Sequence, residues 1–480
     1  MRDWSAEEIA AAAGAELVRP PRAAEGPRGA AEGPLRAVGD SREVGPGELF
    51  VGIAGARADG GAFAIDALAA GAWGVLVTPS RAAELLAGTL LAKSGGPADV
   101  AFSTAGGAVL AAADPTAALG RLARAYRRQL GASVIAVTGS TGKTSTKDIL
   151  AALLSPVRAT HANRANLNTE IGLPLALLEA PAGTEVIVLE LAMRGAGQIA
   201  ELAAICEPDV GVIVNVGPVH VELLGSLDAI AATKSELLEA LPDGARAVIP
   251  VSEPLLESRV ADGRLDVVRC GDGGDARLLA VEPSGRVVIE LRGKRVEVTP
   301  SLRSAHQLAN LVMAVAAADA VGVTPHGEVS VVLSALRGER VELPGSIEIV
   351  NDCYNANPMS TRAALDDLAA SARGRRVAVL GEMLELGPEA ERYHAEAGAH
   401  AAASGVALLL AVGPLAEAMV EPYRTGAPAG AARAVPDADA AARLLGELLA
   451  PGDTVLVKGS RGVGLERVAQ ALTADAERGS

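Results

Sequence analysis

The segment AVTGSTGKTSTKDIL, residues 136–150, sets a lysine and a threonine directly after a glycine, between an apolar run and a helical one. That order of residue types suits a triphosphate. Glycines let the backbone close on anionic oxygens, and the first amides of a helix point at them. The lysine faces the β- and γ-phosphates, and the threonine hydroxyl reaches Mg²⁺. The common loop is G-x-x-x-x-G-K-[ST], which would put its first glycine at position 137. Val137 stands there instead, so the loop is the shorter Gly139, Ser140, Thr141, Gly142, Lys143, Thr144, followed by Ser145.

A phosphate loop also needs an acid at a neighbouring strand end to complete its metal site. Glu190 ends the otherwise apolar run EVIVLEL and suits that role. Further on, VNVGPVHVELLGSLDAIAATKSELL, residues 214–238, carries His220 in a loop past the next strand and Lys234 on a helix. A lone histidine is more often structural; here it stands where a second metal could lie.

Scarce residues mark the same places. Six of the 43 basic residues are lysine: Lys93, Lys143, Lys147, Lys234, Lys294 and Lys458. A lysine that persists among arginines is expected where a compact, deprotonatable ammonium matters; drift in a biased genome is the alternative. The eight asparagines fall in four places: Asn163, Asn166 and Asn168; Asn215; Asn310; and Asn351, Asn355 and Asn357.

These groups need a frame. Apolar β-rich runs at 47–53, 73–78, 133–138, 185–191, 209–215, 346–352, 375–381, 407–413 and 453–459 alternate with Ala/Leu-rich helical stretches such as 306–322. That is the pattern of α/β units with parallel sheets. We expect three α/β domains over residues 1–110, 111–340 and 341–480. A loose stretch at 93–113 marks the first boundary, and the tail ADAERGS should fray. Hydrophobic residues at 50% exclude a disordered chain, and aromatics at 2% mean cores of Ala, Val, Leu and Ile. A net charge of −15 argues against nucleic acid as the main partner. Cys206, Cys270 and Cys353 lie too far apart for a disulfide framework or a metal motif. No apolar run reaches the ~18 residues of a membrane span, and acids near the N-terminus do not fit a signal peptide. A cytoplasmic protein without integral membrane association is expected.

Together these stretches resemble the Mur ligases, ATP-dependent amide-bond-forming enzymes of peptidoglycan precursor synthesis. The shortened G-x-x-G-K-T is that family's own loop. ANRANLNTEIGLPLALL (162–178) is similar to its Asn-rich segment, Glu190 and His220 to its magnesium ligands, and AHQLANLVMA to its nucleotide motif with His306 and Asn310. AATKSEL matches the position of its carbamylated lysine, which falls on Lys234. DSREVGPGELFVGIAGARADGGAF (40–63) resembles a UDP-substrate domain. NDCYNANPMSTRAAL (351–365), LGEMLELG (380–387) and VLVKGSRGVGLE (455–466) resemble the members that add a dipeptide.

The resemblance implies a small N-terminal UDP-substrate domain, a central P-loop ATPase domain with a largely parallel sheet, and a C-terminal Rossmann-like domain. It implies ligation through an acyl phosphate, with UDP-N-acetylmuramoyl-tripeptide and D-alanyl-D-alanine as substrates, ATP, a pair of Mg²⁺ ions and a monomeric enzyme. Lys143, His220 and Lys234 would be catalytic, and Thr144, Glu190, His220 and Lys234 would hold metal. Asn310, Asp352, Tyr354, Asn355 and Asn357 would join the loop around the nucleotide. Asp40, Ser41, Arg42 and Asn166 would contact the UDP-linked substrate, and Lys458, Ser460 and Arg461 the incoming dipeptide. Gly61, Ser304, Gln198 and the segment PVSEP (250–254) depart from the family pattern, the last leaving an adenine contact open. A sister ligase adding a diamino acid would carry Asp-Asn-Pro-Arg where YNANP stands. A folylpolyglutamate synthetase-like enzyme would lack the 40–63 segment, and a non-ligating P-loop switch would not need Glu190, His220 and Lys234 together.

Overall fold

A computed structural model describes residues 1–21, 33–55, 59–88, 106–164, 167–251 and 253–479. Three sheets organise them. The first has five strands in the order Glu16–Arg19, Ala108–Ala111, Gly74–Val77, Leu49–Val51, Ala37–Val38, parallel except for the first pair. The second has ten. Thr160–Ala162, Val186–Glu190, Ser133–Thr138, Val210–Ile213, Arg246–Pro250 and Asp266–Cys270 run parallel in that order. Ala276–Val281, Val287–Leu291 and Lys294–Pro300 continue it as an antiparallel meander, with Gly327–Val329 at the far edge. The third orders Glu339–Leu343, Ile347–Asn351, Thr454–Lys458, Arg376–Gly381, Leu408–Val412 and Ala431–Val435, antiparallel only in its first pair.

Each predicted apolar run holds a parallel strand, whereas parallel strands such as Thr160–Ala162, Asp266–Cys270 and Ala431–Val435 lie outside those runs. Strands covered on both faces read as continuous apolar stretches, and Val186–Glu190 and Thr454–Lys458 are buried at every position. Each ends in its one charged residue, at the carboxyl edge where loops gather and ligands bind. The antiparallel meander escapes the sequence reading because its outer face is wet and its apolar runs are interrupted, as in Lys294–Pro300. Two further details differ. Residues 108–111 of the supposedly loose stretch form a strand of the first sheet, while 89–105 lie outside the described residues. The tail, expected to fray, continues the helix Glu466–Gly479. The strand Glu339–Leu343, which spans position 340, pairs with the third sheet.

The cores divide unevenly. Leu49, Leu76 and Leu110 of the first sheet pack in one cluster with Leu122, Val134 and Ile187, so the first two sheets share a core. The helix Pro115–Leu130 joins them: Arg121 Nε donates to Ala13 O at 2.8 Å and Tyr126 Oη to Ala180 O at 2.8 Å. The third sheet has cores of its own on its two faces.

Gly398 lies within the helix Ala390–Ala403, and a Cβ there would fall 2.0 Å from Met419 O. Alanine normally favours a helix over glycine by about 1 kcal/mol. Here Gly398→Ala should destabilise the third domain by about 1–3 kcal/mol, because backbone and not a pliable side chain is in the way. Calorimetry should show its transition moving down; an upward shift would contradict this packing.

Candidate active site between the second and third sheets

The strand Ser133–Thr138 runs through the glycine loop into the helix Lys143–Leu154. Gly142 has φ +80°, and a Cβ on it would come within 3.0 Å of Asn310 Oδ1, so conformation and space both require glycine. Asn215 shapes the loop from the neighbouring strand end. Its Oδ1 accepts from Ser140 N (3.2 Å) and Thr141 N (2.9 Å), and its Nδ2 donates to Thr141 O (3.1 Å). Sequence reasoning marked Asn215 as scarce but gave it no role. Lys143 Nζ donates to Gly139 O at 2.9 Å. Burial lowers its pKa, with Glu190 opposing and Arg337 adding to the effect.

Thr144 Oγ1 donates to Glu190 Oε2 at 2.7 Å. Asn168 Nδ2 donates to the other carboxylate oxygen at 2.9 Å. Asn163 grips the same residue by its backbone: Oδ1 accepts from Glu190 N at 2.9 Å, and Nδ2 donates to Glu190 O at 3.3 Å. Buried Lys147 in turn donates to Asn163 O at 2.7 Å. The Asn-rich segment is therefore the scaffold of the carboxylate. A hydroxyl beside a carboxylate is a hard-oxygen pair that fits Mg²⁺, which takes few protein ligands and keeps phosphate and water for the rest. No cluster of three or more His, Cys, Asp or Glu suited to a metal occurs among the described residues.

His220 has φ +53° and precedes the short helix Val221–Leu224; its Nδ1 bonds the Glu385 carboxylate of the third domain. Burial lowers its pKa, Glu385 opposes, and Lys143 and Lys234 lower it further. Lys234 is 2% exposed. It has no hydrogen-bond or ion-pair partner among the described residues, and burial, helped by Lys143, takes its amine well below the ordinary lysine range. A buried, unpartnered amine whose charged form burial disfavours fits a group waiting for a ligand or a modification.

The opposite wall comes from the third domain. Lys458 Nζ binds Asp352 Oδ2 (2.6 Å) and Asn355 O (3.1 Å), bracing the loop that carries Tyr354. Asn357 caps the helix Pro358–Ser371, accepting from Ser360 N at 2.9 Å. Arg337, which sequence reasoning missed, lies 4.0 Å from the Tyr354 ring centroid and donates through Nη2 to Thr144 Oγ1 at 3.0 Å. One arginine thus touches both walls. Its only signal in the sequence was its place just before the third sheet.

A cavity of about 470 Å³ opens between these walls. Ser140 to Ser145, Glu190, His220, Asn310, Arg337, Asp352, Tyr354, Asn355, Asn357 and Lys458 line it. Lys234, Ser460 and Arg461 are not in its lining. Ser460 is buried, its Oγ accepting from Leu384 N at 3.0 Å, and Arg461 is exposed. Asp40, Ser41 and Arg42 form a turn on the first domain, away from this cavity. There Arg42 holds the Asp40 carboxyl at about 2. The adjoining Gly39 backs onto Leu175 and Ile171 of the central domain. Asn166 lies outside the described residues.

Three departures from the family pattern have local reasons. Ser304 caps the helix Ala305–Ala320 in a capping box with Gln307. Gln198 Oε1 accepts from Arg194 N (2.6 Å) and Gly195 N (3.1 Å), work an acid could do equally. Gly61 leaves room for Arg81, whose Nε donates to Asp59 at 2.9 Å.

Residues 137–318 match the Mur ligase middle domain, and 336–461 the Mur ligase, glutamate ligase domain. The chain is 36% identical to the UDP-N-acetylmuramoyl-tripeptide–D-alanyl-D-alanine ligase of Mycobacterium tuberculosis, over 92% of each. It is 30% identical to the ligase of that name from Bacillus subtilis, over 90% of this chain and 92% of the other. MurF from Acinetobacter baumannii superposes with a TM-score of 0.80 at 26% identity, over 98% of both chains. The MurF ligase of Thermotoga maritima in complex with ADP gives 0.75 at 29% identity, over 93% of this chain and 98% of that one. On its sequence, its sheets and its phosphate loop alike, the chain belongs to the Mur ligase family.

Proposed function

We propose that this chain joins D-alanyl-D-alanine to UDP-N-acetylmuramoyl-tripeptide, driven by ATP, in cytoplasmic peptidoglycan precursor synthesis. The observation that carries the reading is likeness over nine-tenths of the chain to relatives of that name, together with a cavity that faces Lys143, Thr144 and Glu190 toward the third domain. ATP and a nucleotide-linked peptide are cytoplasmic molecules, which supports a cytoplasmic enzyme, and we propose that it works as a monomer. We assign residues 1–110 to the UDP moiety, 111–340 to ATP and 341–480 to closure and the dipeptide.

Amide formation from a carboxylate in water is uphill. The tripeptide carboxylate attacks the γ-phosphorus, the bond to the β-bridging oxygen breaks, and ADP leaves an acyl phosphate. The dipeptide amine then attacks the carbonyl carbon and loses a proton, and phosphate departs. The protein's part is to neutralise charge, align the groups and exclude water. Lys143 and the loop amides meet the triphosphate. Thr144 and Glu190, and in a second position His220 and Lys234, would hold Mg²⁺, which would supply charge neutralisation at the phosphoryl oxygens. Lys234 would serve as a carbamate: its neutral amine adds CO₂ and releases one proton, giving an anionic oxygen where an ammonium would repel the metal. Asn310, Asp352, Tyr354, Asn355 and Asn357 flank the nucleotide. Asp40, Ser41, Arg42 and Asn166 serve the UDP-linked substrate. Arg461 meets the dipeptide carboxylate from a loop that Lys458 and Ser460 hold in shape.

Phosphate release should require UDP-linked tripeptide and D-alanyl-D-alanine together; equal release with a free diamino acid in place of the dipeptide would sink the reading. Lys143→Ala should keep the fold and lose about 100- to 1,000-fold or more in kcat, since a preorganised positive donor is removed. Arg42→Ala should raise KM for the UDP-linked substrate roughly ten- to hundredfold, the worth of a charged hydrogen bond, while KM for ATP stays put. Parallel loss in both constants would displace the first domain from its role. Lys234→Arg should be as inactive as Lys234→Ala, because a guanidinium cannot take up CO₂. Added formate should restore part of the alanine variant's turnover; an active arginine variant would end the carbamate account.

A further inference from the structure

Glu385 stands in the loop after the strand Arg376–Gly381, on the third domain, and its carboxylate meets His220 Nδ1 across the domain junction. A carboxylate can only accept, so Nδ1 carries the proton and the lone pair of a neutral ring lies on Nε2. His220 lines the cavity, and Nε2 has no partner among the described residues. The seam around the contact is tight. Glu222 N donates to Glu385 O at 3.3 Å, and a Cβ on Gly387 would lie 3.3 Å from Glu222 Cα. Both contact residues carry left-handed backbone although neither is glycine, His220 at φ +53° and Glu385 at +62°. Such strain persists where surroundings over-determine it, often at working sites. Within the central domain the charged groups that act on the ring are Lys143 and Lys234, both basic.

We propose that Glu385 is a positioning residue that fixes the Nδ1–H tautomer of His220, so that Nε2 is presented to the metal only while the third domain is docked. This rests on the reading of His220 as a metal ligand given above. The logic is that of a ligating histidine whose other ring nitrogen is held by a carboxylate. What is unusual is that the carboxylate comes from another domain. The first two sheets share a core and the third does not, so undocking takes Glu385 away and leaves the ring beside two lysines, free to exchange tautomers. Docking then completes the metal site at the moment the cavity closes over the nucleotide, and phosphoryl transfer before closure is suppressed.

The chain has six histidines, so selective ¹⁵N-histidine labelling gives an interpretable spectrum, with His220→Gln as the assignment control. The measurement uses full-length, metal-free protein with UDP-linked tripeptide and a non-hydrolysable ATP analogue. Wild type should show His220 as Nδ1–H. Glu385→Ala should show a mixture or Nε2–H, and Glu385→Gln should return the wild-type pattern, because its amide oxygen accepts the same proton. In turnover, Glu385→Ala should lose about ten- to hundredfold in kcat with KM for ATP unchanged, and Glu385→Gln should recover most of it. A folded Glu385→Ala protein with the wild-type tautomer overturns the proposal, as does a glutamine variant that matches the alanine one. Mn²⁺ added to wild type should broaden the His220 signal; a signal left sharp while the tautomer responds to Glu385 overturns the metal-ligand reading instead.

Discussion

A carboxylate sunk as deeply as Glu190, 3% exposed, is tolerable only while its charge is compensated. Much of the active cleft is arranged by that need. Thr144 and Asn168 each take one of its oxygens, and Asn163 clamps its backbone on both sides. Lys147 anchors Asn163, and so ties the helix after the glycine loop to the segment behind the carboxylate. Loop, acid and Asn-rich stretch therefore form one hydrogen-bonded unit built around a single carboxylate.

Facing this unit, the third domain has hydrophobic cores of its own. The polar contacts across the cleft are directional: Arg337, just before the third sheet, bonds Thr144 and stacks on Tyr354, Glu385 meets His220, and Lys458 and Asp352 brace the loop that carries Tyr354. Directional contacts of this sort suit a surface that must part to admit a peptide and close to keep water from an acyl phosphate. A continuous apolar seam would have held it shut.

The strands that carry Glu190, Lys458 and the glycine loop were legible because burial on both faces writes them as unbroken apolar runs with a polar terminus. The asparagines and lysines were legible as rarities, and here rarity and position coincide: Asn163, Asn168, Asn215, Asn310 and Lys147 all bear on the loop or on Glu190. Arg337 and Glu385 were not. Arginine is the common basic residue of this chain, and each of these two acts on a partner well over a hundred positions away, at 144 and 220. Neither spacing nor periodicity encodes a contact that exists only after two domains meet. The meander at 276–300 failed to show for a simpler reason, its half-wet pattern. Lys458 and Ser460 were expected beside the dipeptide; their polar atoms bond the neighbouring loops, Lys458 at Asp352 and Asn355 and Ser460 at Leu384.

The uneven division of the cores also sets an order of assembly on the ribosome. The shared core draws on positions from Met1 to Leu265, so the nascent chain must emerge past the latter before that core is complete. The cores of the third sheet take their buried members from Ile349 to Leu472, with Leu336, Val341 and Leu343 packed against one of them, and draw nothing from the first two sheets. Domains generally fold as units in the order they are synthesised. The early part of this chain thus spends the longer time exposed and half-finished, while its last third can close as soon as it is released; a chaperone's attention would fall chiefly on the former.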